Sequence, residues 1–131
     1  MITREITEKL GKHETPFYYY DLEMLRETLS VASGEAVNRG FHVHYAVKAN
    51  FNPVIMKIIT GYGFGADCVS GNEVEHAIAC GFPADETVFA GVGKSDAEIE
   101  KALRLDIKCF NAESAAELDV IDAIAGRLGK K

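Results

Sequence analysis

Three times in this chain a short apolar run is followed by Ser-x-x-Glu and then by apolar residues at helical spacing. The boxes are Ser70-Gly71-Asn72-Glu73, Ser95-Asp96-Ala97-Glu98 and Ser114-Ala115-Ala116-Glu117. A serine N-cap and a glutamate three residues on satisfy each other's orphan amides, so each box predicts a helix start. The runs ahead of them, 66–69, 87–90 and 107–110, are short and bounded by turn residues, which predicts strands. A fourth run, 41–49, precedes Asn52-Pro53, with asparagine as cap and proline in the first helical turn. Strand then helix therefore recurs four times, at about twenty to twenty-five residues per unit, a period that a solenoid would share. The units lack the fixed leucine or asparagine positions of a solenoid, and their loops differ in length. Four βα units with parallel strands and right-handed crossovers are the better reading.

Each unit supplies its own buried face. The helix that follows 41–49 is expected to bury Val54, Ile55, Ile58, Ile59 and Tyr62, and Gly61, Gly63 and Gly65 to end it. The later helices carry Val74, Ala77 and Ile78; Ile99, Ala102 and Leu103; and Leu118, Ile121, Ala125 and Leu128. Ahead of the units, Asp21 reads as an N-cap for a helix with the stripe Leu22, Leu25, Leu29 and Ala32, closed by Asn38-Arg39-Gly40. Gly34 weakens that helix by about 1 kcal/mol relative to alanine. Phe17-Tyr18-Tyr19-Tyr20 is strand-prone and reads as a half-buried strand entered through the turn His13-Glu14-Thr15-Pro16. Residues 1–14 read as a short helix or irregular arm. The expected division is an arm over 1–20 and a half barrel over 21–131.

Length and charge narrow the possibilities. With 131 residues the chain suits one domain, whereas a complete (β/α)8 barrel needs about 250. A net charge of -6 argues against a nucleic-acid surface. No run of eighteen apolar residues is present, and no apolar stretch follows Met1 to Glu5, so neither a membrane span nor a secretory signal is expected. Cys68, Cys80 and Cys109 are odd in number and lack Cys-x-x-Cys spacing, which fits reduced cysteines in a cytoplasmic protein.

The chemistry is expected around Tyr45-Ala46-Val47-Lys48-Ala49-Asn50. On a strand over 41–49, Val43, Tyr45 and Val47 share one face, and His44, Ala46 and Lys48 the other. A lysine at the C-terminal end of a strand lies where α/β proteins place catalytic groups. A lysine that simply reaches solvent there is the commoner case. Asp67, on the adjacent strand near the same end, is placed to orient that amine or to bond a cofactor-linked group; a solvent-exposed strand end is the alternative. Other signals are weaker. Gly91-Val92-Gly93-Lys94-Ser95 invites a phosphate-loop reading, but the required earlier glycine is Val88, so a tight turn capped by Ser95 is expected. His42 and His44 form an i, i+2 pair with no evident third ligand, so a structural role is favoured over a metal.

The hexapeptide at 45–50 resembles the cofactor-lysine motif of the pyridoxal-phosphate enzymes built on an alanine-racemase-like barrel, and most of all the diaminopimelate decarboxylase family. The resemblance continues in order through Thr15-Pro16-Phe17-Tyr18-Tyr19-Tyr20-Asp21, Gly65-Ala66-Asp67-Cys68-Val69-Ser70-Gly71-Asn72-Glu73, Gly91-Val92-Gly93-Lys94-Ser95-Asp96 and Cys109-Phe110-Asn111-Ala112-Glu113-Ser114. It implies the N-terminal half of a (β/α)8 barrel that binds pyridoxal 5'-phosphate. Lys48 would be the catalytic, cofactor-bonding amine, with Ala46 and Asp67 beside the cofactor. The implied reaction is decarboxylation of meso-diaminopimelate to L-lysine in lysine biosynthesis. A small amino acid is thus the implied substrate, and the implied assembly is a homodimer. The resemblance also implies a phosphate-binding glycine loop, an acid for the pyridinium nitrogen and a histidine against the ring, all expected beyond residue 131. The chain alone is then expected to be inactive. Ornithine or arginine decarboxylases, alanine racemase, or a non-catalytic cofactor-binding remnant remain alternative readings.

Overall fold

The computed structural model of the chain describes residues 2–131. Helix α1 (Arg4–Leu10) starts on Thr3, whose side chain accepts from the Ile6 amide. Helix α2 (Leu22–Arg39) is capped by Asp21 and ends at Gly40 in the left-handed region. Then come β1 (His44–Ala46), α3 (Pro53–Thr60), β2 (Gly65–Cys68), α4 (Gly71–Ala79), β3 (Thr87–Phe89), α5 (Asp96–Arg104), β4 (Cys109–Phe110) and α6 (Ala115–Leu128). The strands form one parallel sheet in the order β1-β2-β3-β4. Sequential parallel neighbours joined through helices are four βα units laid side by side, as the periodicity requires.

The register assigns the two faces. His44 pairs with Gly65, Ala46 with Asp67, Asp67 with Val88 and Val88 with Cys109, so these residues share one face. Ala66, Cys68, Thr87 and Phe89 lie on the other and are fully buried. That second face packs with Val47, Met56, Ile59, Val74, Ala77 and Phe82 into the main core. Ile99, Ile121 and Ile124 form a smaller core where α5 meets α6. The first face is more open, and Cys109 on it is exposed.

Several expectations need correction. The run 41–49 pairs as a strand only over His44–Ala46; Val47–Ala49 coil into a single 3-10 turn. Phe17 to Tyr20 join no sheet and are exposed, Tyr18 most of all. An aromatic segment has strand propensity, but a strand needs an edge to pair with. In α3 the buried residues are Ile55, Met56 and Ile59, whereas Val54 is exposed, because it shares the outer face of that helix with Lys57. Gly65 belongs to β2 and does not terminate α3. Leu22 and Leu118 lie on the expected stripes yet are exposed. Leu118 lines an open groove between β4 and α6 that no other described residue fills.

Only one of the three boxes closes reciprocally. Ser95 accepts from the Glu98 amide, and the Glu98 carboxylate accepts from Ser95 N–H. At the other two the serine caps as expected, but the glutamate reaches one residue further back. Glu73 accepts from the Val69 amide (2.8 Å) and Glu117 from the Glu113 amide (2.6 Å). The sequence pattern specifies the helix start and leaves the carboxylate's destination to the preceding loop.

Glu98 does two jobs. Its second oxygen accepts from the Gly71 amide at the start of α4, 2.8 Å away. The Gly71 amide first, then Ser95, hold its carboxyl below the usual carboxylate range. A lowered native value means stability that is fully present above the unfolded value of about 4.3 and is lost as pH falls through the native one. Glu98→Gln keeps an acceptor and removes the charge. We expect it to flatten the acid limb of stability below about pH 4.5, and urea midpoints measured from pH 3 to pH 7 check this. A wild-type acid limb retained in the variant would contradict the assignment.

Candidate cofactor-lysine site

Val47 is completely buried under the helices and pins the 3-10 turn to the core. The next residue, Lys48, is exposed. Tyr45 brackets the turn: its hydroxyl donates to the Asn50 carbonyl (3.1 Å), and burial raises its pKa above the ordinary phenol value. Asn50 in turn accepts from the Asn52 amide (3.0 Å), and Asn52 caps α3. On the far side, His76 of α4 bonds the Phe51 carbonyl through Nε2 (2.8 Å). The lysine therefore rides on a short segment held at both ends. Its amine makes no hydrogen bond or ion pair with the described residues.

Asp67 sits opposite Ala46 in the register, one strand over and two residues before the level of Lys48. Its Oδ1 is buried and has no hydrogen-bond partner. A buried carboxylate oxygen without a partner is costly, and such orphans concentrate where a ligand supplies the missing donor. Ala46 keeps the space beside it open with a single methyl group. Thus Ala46 and Asp67 lie side by side on the more open face, and Lys48 stands at its C-terminal rim. The neighbouring Cys68 points the opposite way. Burial first, then the charges of Glu73 and Asp67, push its thiol up to about 12, so it stays protonated and inert.

At the other end of the same face, His44 lies against Gly65, where a Cβ would fall 2.5 Å from its ring. Its Nε2 is 3.7 Å from Glu86, which is held by Lys108 at 2.6 Å. Lys108, then His42 and His44, keep the Glu86 carboxyl below its ordinary pKa. Among the described residues no three His, Cys, Asp or Glu side chains are arranged to hold a metal. The turn at Gly91–Ser95 is capped by Ser95. Its Lys94, however, is buried and contacts three acceptors, which sequence reasoning missed. Glu117, the third residue of a capped helix, was the only available signal, since a buried lysine needs an acid.

A lysine on a strand-end turn and an orphan carboxylate oxygen one strand away place an amine and an unpaired acceptor at one rim of a parallel βα sheet. A family model described as "pyridoxal-dependent decarboxylase, pyridoxal binding domain" matches residues 26–129. The chain belongs to that family of pyridoxal-dependent decarboxylases. More narrowly, it is 51% identical to the diaminopimelate decarboxylase of Bacteroides thetaiotaomicron over 124 residues, 94% of this chain and 32% of that protein. It is 42% identical to that of Aquifex aeolicus over 131 residues, 98% of this chain and 29% of that protein. The fold is similar to the crystal structure of diaminopimelate decarboxylase from Helicobacter pylori complexed with L-lysine. There the TM-score is 0.83 at 40% identity, covering 94% of this chain and 31% of that one. The four alternating strands and helices match the N-terminal part of that barrel. The chain spans about a third of the length of the curated relatives it matches.

Proposed function

We propose that this chain supplies the lysine-bearing part of a diaminopimelate decarboxylase, with Lys48 as the amine that bonds pyridoxal 5'-phosphate and Ala46 and Asp67 as its neighbours. The observation that carries the reading is the unpartnered Lys48 amine at the sheet's C-terminal rim, with the orphan Oδ1 of Asp67 one strand away. The donor set suits the group: a primary amine for the aldehyde and an unsatisfied acceptor for a protonated partner. When bound, the cofactor supplies an electron sink for the pair released as CO2 leaves an amino acid. Lys48 would hold the cofactor through its amine, and that amine would carry a proton when not engaged with the aldehyde. The unsatisfied Oδ1 of Asp67 would accept a hydrogen bond from the bound group.

The substrate, meso-diaminopimelate, and the product, L-lysine, are assigned on the similarity to the named relatives. A homodimer of a longer protein and a cytoplasmic setting belong to the same proposal, as does the division into an arm over 1–20 and a half barrel over 21–131. Three free cysteines, two of them buried, support a reducing compartment. Among the described residues no helix is long and apolar enough to cross a membrane.

Titration of the 131-residue chain with pyridoxal phosphate tests the reading. Saturable, one-to-one uptake is expected; uptake that rises linearly with concentration, as at unselected surface lysines, would overturn it. Asp67→Asn keeps the shape and removes the charge. A rise of about tenfold in the half-saturating concentration is expected, equal to the loss of one charge-assisted hydrogen bond. Steady-state assay of the same chain with meso-diaminopimelate is expected to give negligible L-lysine, because four βα units leave half of a barrel mouth unbuilt.

A further inference from the structure

Among the described residues Lys94 is the one cation whose side chain is essentially buried, with 1% of its surface exposed. An ammonium group has three donors and no acceptor. Here they go to the Gly91 carbonyl (2.8 Å), the Asn111 carbonyl (3.0 Å) and Glu117 Oε1 (2.9 Å). The Phe89 ring lies 5.6 Å from the nitrogen, within cation–π range. Gly91 stands two residues beyond the end of β3, and Asn111 directly follows β4. Both carbonyls therefore belong to strand ends, at the same rim as Lys48.

The bonds continue into a closed ring. Glu117 Oε2 accepts from the Glu113 amide (2.6 Å), and Glu113 Oε1 accepts from the Gly91 amide (3.2 Å). The Glu113 amide first, then Lys94, hold the Glu117 carboxyl below its ordinary pKa. Gly91 itself has φ 98° and sits so close to β2 that a Cβ there would lie 3.1 Å from the Val69 carbonyl. One buried ammonium thus fixes the third and fourth strand-end loops to each other and seats them against the end of the strand that carries Asp67.

A buried ion pair is a poor way to add stability, since an apolar replacement of equal volume often does as well. What it adds is a fixed geometry. We propose that Lys94 is a positioning residue: through the Gly91–Glu113–Glu117 ring it sets the wall of Val69, Gly91 and Asn111 beside Asp67, and so tunes the affinity of the Lys48 site for a phosphorylated aldehyde. This rests on the functional reading above. Lys94 touches neither the aldehyde nor Lys48; it acts through the loops it holds.

The test uses Lys94→Met and Glu117→Gln in the 131-residue chain, with pyridoxal phosphate as the probe. Amide exchange at Gly91 and Glu113 is read by NMR, and the half-saturating concentration for borohydride-trapped label on Lys48 is read separately, well below the melting temperature. In Lys94→Met, both amides are expected to exchange at least about 100-fold faster, and half-saturation to rise about tenfold. Glu117→Gln removes the charge and leaves one acceptor oxygen where two are used, by Lys94 and by the Glu113 amide, and is expected to give about a threefold rise. A purely structural role would speed exchange and lower the melting temperature while leaving half-saturation unchanged; that result in folded Lys94→Met overturns the proposal. If Lys94→Met does not fold, unchanged half-saturation in Glu117→Gln overturns it instead. Unaltered exchange at both amides in either folded variant refutes the ring itself. No saturable label on Lys48 in the unsubstituted chain is a different result: it overturns the functional reading, while the exchange rates still report on the ring.

Discussion

Lys48→Ala is expected to abolish saturable pyridoxal phosphate uptake, raising the half-saturating concentration at least about 100-fold, while leaving stability within about 0.5 kcal/mol of the parent. The separation of the two effects follows from its surroundings. The side chain is exposed and bonds to no described residue, so its removal breaks no contact. The turn that carries it is held by Val47 and by the Tyr45–Asn50 bond, neither of which involves the lysine side chain. The chain has nine lysines, so the other eight are the competition. Five of them, Lys9, Lys94, Lys101, Lys108 and Lys130, are paired with carboxylates, so bonding an aldehyde there would break an ion pair. Lys48→Arg is an equally sharp variant, since a guanidinium keeps the charge and forms no stable bond with the aldehyde. Uptake unchanged in either variant would remove Lys48 from the site.

Gly65→Ala is expected to cost about 3 kcal/mol or more, a large share of what a domain of this size has in reserve. A Cβ at this position would meet the Glu86 carbonyl oxygen at 2.3 Å and the His44 ring at 2.5 Å. The oxygen is backbone and cannot swing aside, and the ring has Glu86 on its other side, 3.7 Å from Nε2. Relief requires moving β2 away from its neighbour, and β2 pairs with both β1 and β3. Gly34 is the contrast. It lies exposed within α2 with nothing within 4 Å of its hypothetical Cβ, so Gly34→Ala should stabilise by about 0.5–1 kcal/mol. Urea midpoints of the two variants, moving in opposite directions, check the pair. A neutral Gly65→Ala would mean that the first and second strands are not in the register described.

The architecture was legible because helix starts are written locally. Ser70, Ser95 and Ser114 cap the helices that the sequence pattern assigns to them, and Asn52 with Pro53 does the same for α3. Strand extent was less legible, since pairing is not a local property. Phe41 to Ala49 alternates over its whole length, but only three residues find a partner on β2, and the turn at Val47–Ala49 takes the rest of the motif off the strand. The motif and its place after an apolar run single out Lys48 in the sequence; its seat on a 3-10 turn is set by the fold. The tyrosines at 18–20 show the same limit, with propensity for a strand and no edge to join.

The partners of charged groups were the least legible. Nothing in Ser-x-x-Glu says that Glu98 also holds the Gly71 amide or that Glu117 neutralises Lys94, because those partners lie 27 and 23 residues away in sequence. The open side of α6 at Leu118 has a related cause. Periodicity reports which face a helix wants to bury, not whether the chain contains the element that would cover it.

The central claim is that one amine at the rim of this parallel sheet is set apart to bond an aldehyde. Borohydride reduction of the unsubstituted chain at half-saturating pyridoxal phosphate, followed by peptide mapping, tests it most directly. The account predicts a single pyridoxyl group on the peptide containing Lys48, and its loss when Lys48 is changed. Label spread over Lys12, Lys57 and Lys131 in proportion to their exposure, with no excess at Lys48, would contradict it.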